Sequence, residues 1–169
     1  MPNRKITSTE YVVGTTPLVV RRRVKFGECD PAGFVYTVVF GEYALSAAEL
    51  LYGSLFGSTP QRVRNEIGLV TPTRALEFDF RSSLRPDDEF DMTVTVADIR
   101  THSYVLAIDA RTPPGVDVFR AVLTPICVAR DVRRAIKIPP AFRVALEHYR
   151  TACAARAVEP AGALETQSY

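Results

Sequence analysis

The residues best able to do chemistry in this chain lie in one stretch, Cys29-Asp30-Pro31-Ala32-Gly33-Phe34-Val35-Tyr36. It joins an acid, a thiol and two conformational punctuators to the start of a long apolar segment. A carboxylate such as Asp30 can attack an electrophilic carbonyl directly or take a proton from water as a general base. If the apolar segment is a helix, its first backbone N–H groups face the same corner, where they and the helix dipole stabilise negative charge. Asp-Pro turns also use the aspartate simply to accept a local backbone hydrogen bond. The residue types therefore admit both a catalytic and a conformational role for Asp30. Cys29 is a second nucleophile to weigh, but a thiol needs a nearby base or cation to react, and a cysteine at a strand end is more often a small buried apolar residue.

The elements that must hold this corner follow from periodicity. Leu18, Val20, Val24 and Phe26 alternate with Arg21, Arg23 and Lys25. This gives a strand whose apolar face is interrupted by Arg22 and whose basic face reads as solvated sheet surface. After the turn, apolar residues from about Thr37 to Phe56 go most of the way round a helix, leaving Glu42, Ser46 and Glu49 as a narrow polar stripe. Such a helix is expected to be buried on most sides. A short helix over Pro60–Glu66, capped by Ser58 or Thr59, comes next. Four strands then alternate around Leu76–Phe80, Phe90–Val96, Tyr104–Ala110 and Val118–Ala129, where Pro125 requires a bulge or an edge position. Ile138-Pro139-Pro140 opens a closing helix to about Arg150.

These elements imply an α+β fold, in which a curved antiparallel sheet of about five strands wraps around one long central helix. Residues 1–15 read as an irregular lead-in, 16–154 as a single domain and 155–169 as a disordered tail. Unprotected sheet edges imply a homodimer or homotetramer.

Composition narrows the function classes. A chain of 169 residues, 47% apolar and 24% charged, suits one globular domain. A net charge of +2 gives no reason to expect nucleic acid. No apolar run approaches the roughly 18 residues of a membrane span, and Met-Pro-Asn-Arg-Lys has no apolar stretch behind it, so no signal peptide is expected. Three cysteines without a C-x-x-C pair fit a cytoplasmic chain with no disulfide framework. With only His102 and His148, neither a zinc site nor any other metal or cofactor is expected.

The run Val24-Lys25-Phe26-Gly27-Glu28-Cys29-Asp30-Pro31-Ala32-Gly33-Phe34-Val35-Tyr36, placed before an apolar helix, resembles the hotdog-fold thioesterases. It is most similar to the 4-hydroxybenzoyl-CoA thioesterase family, with its apolar strand, small or acidic stretch, Asp-x-x-Gly, two apolar residues and an aromatic. Phe40 falls where that family has Tyr or Phe. The likeness runs over roughly 16–150, weakly through Glu77–Leu84 with Pro86-Asp87-Asp88, through Arg100–Tyr104 and through Ala129–Arg134 with Ile138-Pro139. Thr37 departs from the family's usual His or Tyr, and Leu45 from its frequent acidic residue; both bear on acyl preference.

The resemblance implies an acyl-CoA thioesterase acting on an aromatic or short-chain acyl group. Asp30 would be nucleophile or general base, and backbone at Gly33, Tyr36 and Thr37 would polarise the thioester carbonyl. Phe34, Tyr36, Phe40 and Tyr43 would line an acyl pocket at a subunit interface. Arg100, Thr101, His102 and Ser103 would lie near the CoA pantetheine and phosphates, and Arg133 and Arg134 would meet the phosphates. For each of these the ordinary role is core packing or a solvated turn. Glu49 reaching a neighbouring subunit's site and His102 as a base are minor readings. The rivals are a carrier-protein thioesterase and a non-catalytic acyl-binding protein. The dehydratases of this fold use a His with a carboxylate, and no His lies near the opening run.

Overall fold

A computed structural model of the chain describes residues 8–158. Its main sheet has six strands: β1 (Glu10–Thr15), β2 (Leu18–Arg23), β4 (Thr73–Phe80), β5 (Glu89–Ile99), β6 (Tyr104–Arg111) and β7 (Asp117–Pro125). They lie in the order β1-β2-β5-β6-β7-β4, every neighbour antiparallel. A two-stranded ribbon pairs β3 (Leu69–Val70) with β8 (Val128–Ala129). Three helices complete the fold: α1 (Val39–Phe56), α2 (Pro60–Ile67) and α3 (Pro140–Val158). This is the curved sheet and long helix of the hotdog architecture, with one strand more than expected.

The extra strand is β1, which corrects the irregular lead-in over its residues. Tyr11, Val12 and Val13 are good strand formers, but all three are exposed, so no alternation marks them. Pairing with β2, from Glu10 opposite Arg22 to Thr15 opposite Leu18, holds them in place. At the other end the chain stays helical to Val158, so the tail does not begin at residue 155. The rest of the expected lead-in and tail, residues 1–7 and 159–169, lies outside the described residues. Phe26 also differs: the strand stops at Arg23, and Phe26 stands on a single 3-10 turn, 86% exposed. The long last strand divides at Pro125, where the β4 register slips between Thr73 and Ala75, and the segment beyond turns off to pair with β3.

The core lies between α1 and the facing side of the sheet. Phe40, Tyr43, Ala44, Ala47, Ala48, Leu51 and Tyr52 are buried, a stripe at i, i+3, i+4, i+7 spacing. They meet Leu18, Val20, Phe90, Met92, Val94, Leu106, Ile108, Ala121 and Leu123 in one cluster. The stripe is one broad face rather than most of the helix surface, since Val38 and Leu45 remain exposed. Gly57 ends the helix at φ +61°, a conformation that costs glycine little.

α3 packs beside α1 through Phe142, whose ring meets those of Tyr52, Phe56 and Tyr104. It is tied to the sheet by Tyr149, whose hydroxyl accepts the Leu18 N–H at 2.7 Å and donates to the Val94 carbonyl at 2.6 Å. Among the described residues no helix is long and apolar enough to cross a membrane.

Strand direction sets the two ends of the molecule. Glu89, at the start of β5, sits opposite Arg23, and Ile99, at its end, opposite Tyr104. At roughly 3.3 Å per residue, those ends are about 33 Å apart. The start of α1 lies at the Arg23 end, and the turn at 100–103 lies at the other.

Tyr149→Phe removes one hydroxyl and leaves the buried Leu18 N–H without its partner. It is expected to destabilise the fold by about 1–3 kcal/mol, read as a lower denaturation midpoint with an unchanged slope.

Candidate active site

The Asp30 corner is a tight hairpin loop, and its sequence explains its shape. The Asp30 carbonyl accepts the Gly33 N–H at 2.9 Å, and the Asp30 N–H reaches the Phe34 carbonyl at 2.8 Å. Aspartate at the first position, proline at the second and a left-handed glycine after the turn are what a three-residue hairpin loop prefers. Gly33 has φ +81°, and a Cβ there would meet nothing within 4 Å, so conformation rather than crowding selects glycine. Cys29 and Val35 bridge the base of the loop.

The geometry of Asp30 leaves room for both roles that its residue type allows. Its Oδ1 accepts the Ala32 N–H at 2.9 Å and the Phe34 N–H at 3.3 Å, which is the conformational role. Its Oδ2 has no hydrogen bond among the described residues. The half-buried carboxylate is thus held by one oxygen and offers the other.

Beyond the loop the chain enters α1. The expected backbone donors separate into two kinds. Gly33 N–H is engaged by Asp30, and Tyr36 N–H by the Glu28 carbonyl at 3.0 Å, so both hold the loop rather than face a ligand. This corrects the role implied for them. The N–H groups of Thr37 and Val38 have no partner among the described residues, as the open first turn of a helix requires. Thr37 lines an open cleft of about 410 Å³ together with Val35, Phe40, Phe80 and residues 81–84. Phe40 packs edge-on against Phe80 at 5.0 Å, and Phe80 stacks on Phe78, which gives the cleft an aromatic floor.

The remaining residues singled out in the sequence divide by position. Phe34 is half-buried beneath the Arg85 guanidinium, 5.2 Å from its ring centre, and Tyr36 is exposed. Neither lines the cleft. Tyr43 does not either, because it is fully buried and points its hydroxyl at Glu28. Arg100, Thr101, His102 and Ser103 form the turn at the far end of the sheet, where backbone at 100–102 accepts bonds from Arg143, Ile138 and Cys127. Arg133 and Arg134 are exposed near β8, at the same far end. One chain therefore does not bring these residues to Asp30. Burial, with help from the neighbouring Glu28, Asp30 and Asp88 carboxylates, pushes the Cys29 thiol up, away from the reactive thiolate.

Sequence reasoning passed over Glu28. Its Oε1 accepts Arg22 Nη2 at 2.5 Å, and its Oε2 accepts the Tyr43 hydroxyl at 2.7 Å and the Lys25 N–H at 2.8 Å. Arg22 lies over the Tyr43 ring at 4.4 Å, and its Nη1 reaches Glu10 at 2.9 Å. Ser46 donates to the same Glu10 carboxylate at 2.8 Å. The signal was Arg22 itself, a charge on the apolar face of a strand, which demands buried partners. Burial acts to raise the Glu28 carboxyl, but the bonds from Lys25, Tyr43 and Arg22 outweigh it and hold it below the usual carboxylate range. Burial raises the Tyr43 hydroxyl and Glu28 adds to this, so it stays a donor.

Comparison with known proteins shows the family of the chain. Residues 24–146 match the model of the thioesterase-like superfamily, and the chain belongs to that family. Its class of activity is thioester hydrolysis. Among solved structures it is similar to 4-hydroxybenzoyl-CoA thioesterase from Pseudomonas sp. strain CBS-3, at 25% identity and a TM-score of 0.67 over 75% of this chain and 96% of that one. It is similar in fold to a 1,4-dihydroxy-2-naphthoyl-CoA thioesterase from Synechocystis, at 20% identity and 0.68 over 76% and 93%. A Staphylococcus aureus protein solved in complex with CoA superposes at 0.74 with 13% identity, over 95% and 94%. A search of curated proteins gave no significant match.

Two outcomes test the electrostatics. A carboxyl held low in the folded state stabilises the fold above its unfolded pKa of about 4.3, and that contribution is lost as pH falls through the folded value. Denaturation between about pH 5 and about pH 3 should therefore show a steeper loss for the wild type than for Glu28→Gln. Cys29→Ala should keep thioesterase turnover within about twofold of wild type, since a thiol held neutral is a poor nucleophile; a collapse of turnover would restore the thiol reading.

Proposed function

We propose that this protein hydrolyses acyl-CoA thioesters with a small aromatic or short acyl group, and that Asp30 is the catalytic carboxylate. The observation that carries this reading is the state of Asp30: one oxygen is fixed by two backbone N–H groups, the other has no hydrogen bond among the described residues, and the same loop leads into the unoccupied donors of Thr37 and Val38. In the general-base route, Oδ2 takes a proton from water as its oxygen bonds to the thioester carbon. Charge moves to the carbonyl oxygen, where the α1 backbone donors and dipole stabilise it. Collapse then expels the CoA thiolate, which takes up the proton. In the nucleophilic route, Oδ2 itself bonds to that carbon, the thiolate leaves, and water cleaves the resulting mixed anhydride. Both routes use the same free oxygen and the same donors.

The aromatic floor of Phe40 and Phe80 supports a flat or short acyl group, and the CoA-bound neighbour supports CoA as the thiol. The reading also places the working site between two copies of the chain. The outer edge of β4 has no strand beside it among the described residues. Antiparallel pairing of two such edges would set the 100–103 turn and Arg133 and Arg134 of the second copy beside the first copy's Asp30 end. That is where a nucleotide phosphate would need cations.

The test is a panel of benzoyl-, phenylacetyl-, short- and medium-chain thioesters of CoA and of a carrier protein, with wild type and Asp30→Asn. Asparagine keeps a side-chain oxygen for Ala32 and Phe34, so the melting temperature should stay near wild type. Turnover should fall by about 10²–10⁴-fold. Full activity in Asp30→Asn would remove Asp30 from the chemistry, and preference for the carrier protein would replace CoA.

A further inference from the structure

The Glu28 cluster satisfies the buried Arg22, and its position next to the Asp30 loop points to a second role. Glu28 lies two residues before Asp30. Its side chain is bound from three directions: from β2 by Arg22, from α1 by Tyr43, and from its own turn by the Lys25 N–H. Its backbone carbonyl accepts the Tyr36 N–H, on the opposite arm of the loop. Tyr36 immediately precedes Thr37, the first unoccupied backbone donor. One residue thus grips both arms, two positions from the carboxylate on one side and one bond from the oxyanion donor on the other.

The geometry points to Glu28 as a positioning residue for thioester hydrolysis: its contacts with Arg22 and Tyr43 fix the separation between the Asp30 carboxylate and the Thr37 N–H. This rests on the assignment of Asp30 and the α1 donors made above. Such control matters because a misplacement of about 1 Å between reacting groups costs on the order of 10²-fold in rate. The side chains bonded to Glu28 are themselves tied to one another and to Glu10. Arg22 spans Glu28 and Glu10, Tyr43 donates to Glu28 while stacking under Arg22, and Ser46 holds Glu10. The loop is thereby fastened to β1, β2 and α1 together. Glu28 touches no reacting atom in this scheme and acts only through Asp30 and Tyr36.

Tyr43→Phe removes a single hydroxyl, and Glu28→Gln keeps the shape but loses the charge. Each is expected to lower kcat by about 10- to 100-fold with KM within about threefold, because the cleft walls stay in place. The double variant should lose no more than the worse single variant, since both act through one contact. Hydrogen exchange should speed up at the Tyr36 amide in both variants and stay unchanged in α3. Asp30→Asn is run in parallel. If it is inactive while folded Tyr43→Phe and Glu28→Gln keep wild-type kcat, the positioning role is overturned and the Asp30 assignment stands. If Asp30→Asn stays active, the assignment itself fails. A kcat loss matched by the unfolded fraction, or abolished by cooling below the melting transition, would reduce Glu28 to a structural tie and also overturn the inference.

Discussion

An arginine on the core face of β2 dictates how the Asp30 corner is assembled. Arg22 follows Leu18 and Val20 on the same side of the strand and is almost as buried as they are. A guanidinium taken from water without partners would cost several kcal/mol. The fold meets that demand with two carboxylates, Glu10 from β1 and Glu28 from the loop, and with the face of Tyr43. Only the Arg22 Nε is left without a partner among the described residues. Burial alone would lower the pKa of the guanidinium, but the two glutamates keep it charged. Two acids around one base leave the cluster acidic, and the hydroxyls of Tyr43 and Ser46 supply the donors that balance it. Removing any one member strands the others, so β1, the loop and α1 form one unit at this end of the sheet.

Asp30 shows why the catalytic and conformational readings of an Asp-Pro turn need not compete. A carboxylate has two oxygens, and this loop uses one of them. Oδ1 replaces the water that the Ala32 and Phe34 N–H groups would otherwise bind, and in doing so it fixes the direction of Oδ2. An aspartate that made no local bonds would sample several rotamers, and orienting it would cost free energy in each turnover. Under the proposed role of Asp30, the Asx turn would be part of the site's preorganisation.

The long repeating elements were legible in the sequence. β4 to β7 and α1 each show several periods of alternating or helical spacing, and the structure places them within a few residues of those limits. β1 was not, because Tyr11, Val12 and Val13 sit on an edge strand with no buried side to create alternation. Of the candidate site, the Asp30–Gly33 turn and the place of Phe40 at the start of the helix could be read from their order along the chain. Tyr43 could not, since helical spacing places it next to Phe40 without saying that its hydroxyl faces an acid fifteen positions earlier. The polar residues at 100–103 and at Arg133 and Arg134 fall at the far end because β5 is long, a distance that no motif reports.

The same geometry decides which groups can work on an oxyanion. Backbone donors are useful when they do not have to move as charge develops. Tyr36 and Gly33 already hold the loop, so recruiting them would break bonds that position Asp30. Thr37 and Val38 have no such duty, and they sit where the peptide dipoles of α1 add together. A side chain at position 37 adds little to that field, so a change of residue there would leave the backbone donor in place. What that side chain can change is the shape of the cleft wall that it forms with Val35 and Phe40, so under the proposed function position 37 would bear on which acyl group fits rather than on whether the carbonyl is polarised.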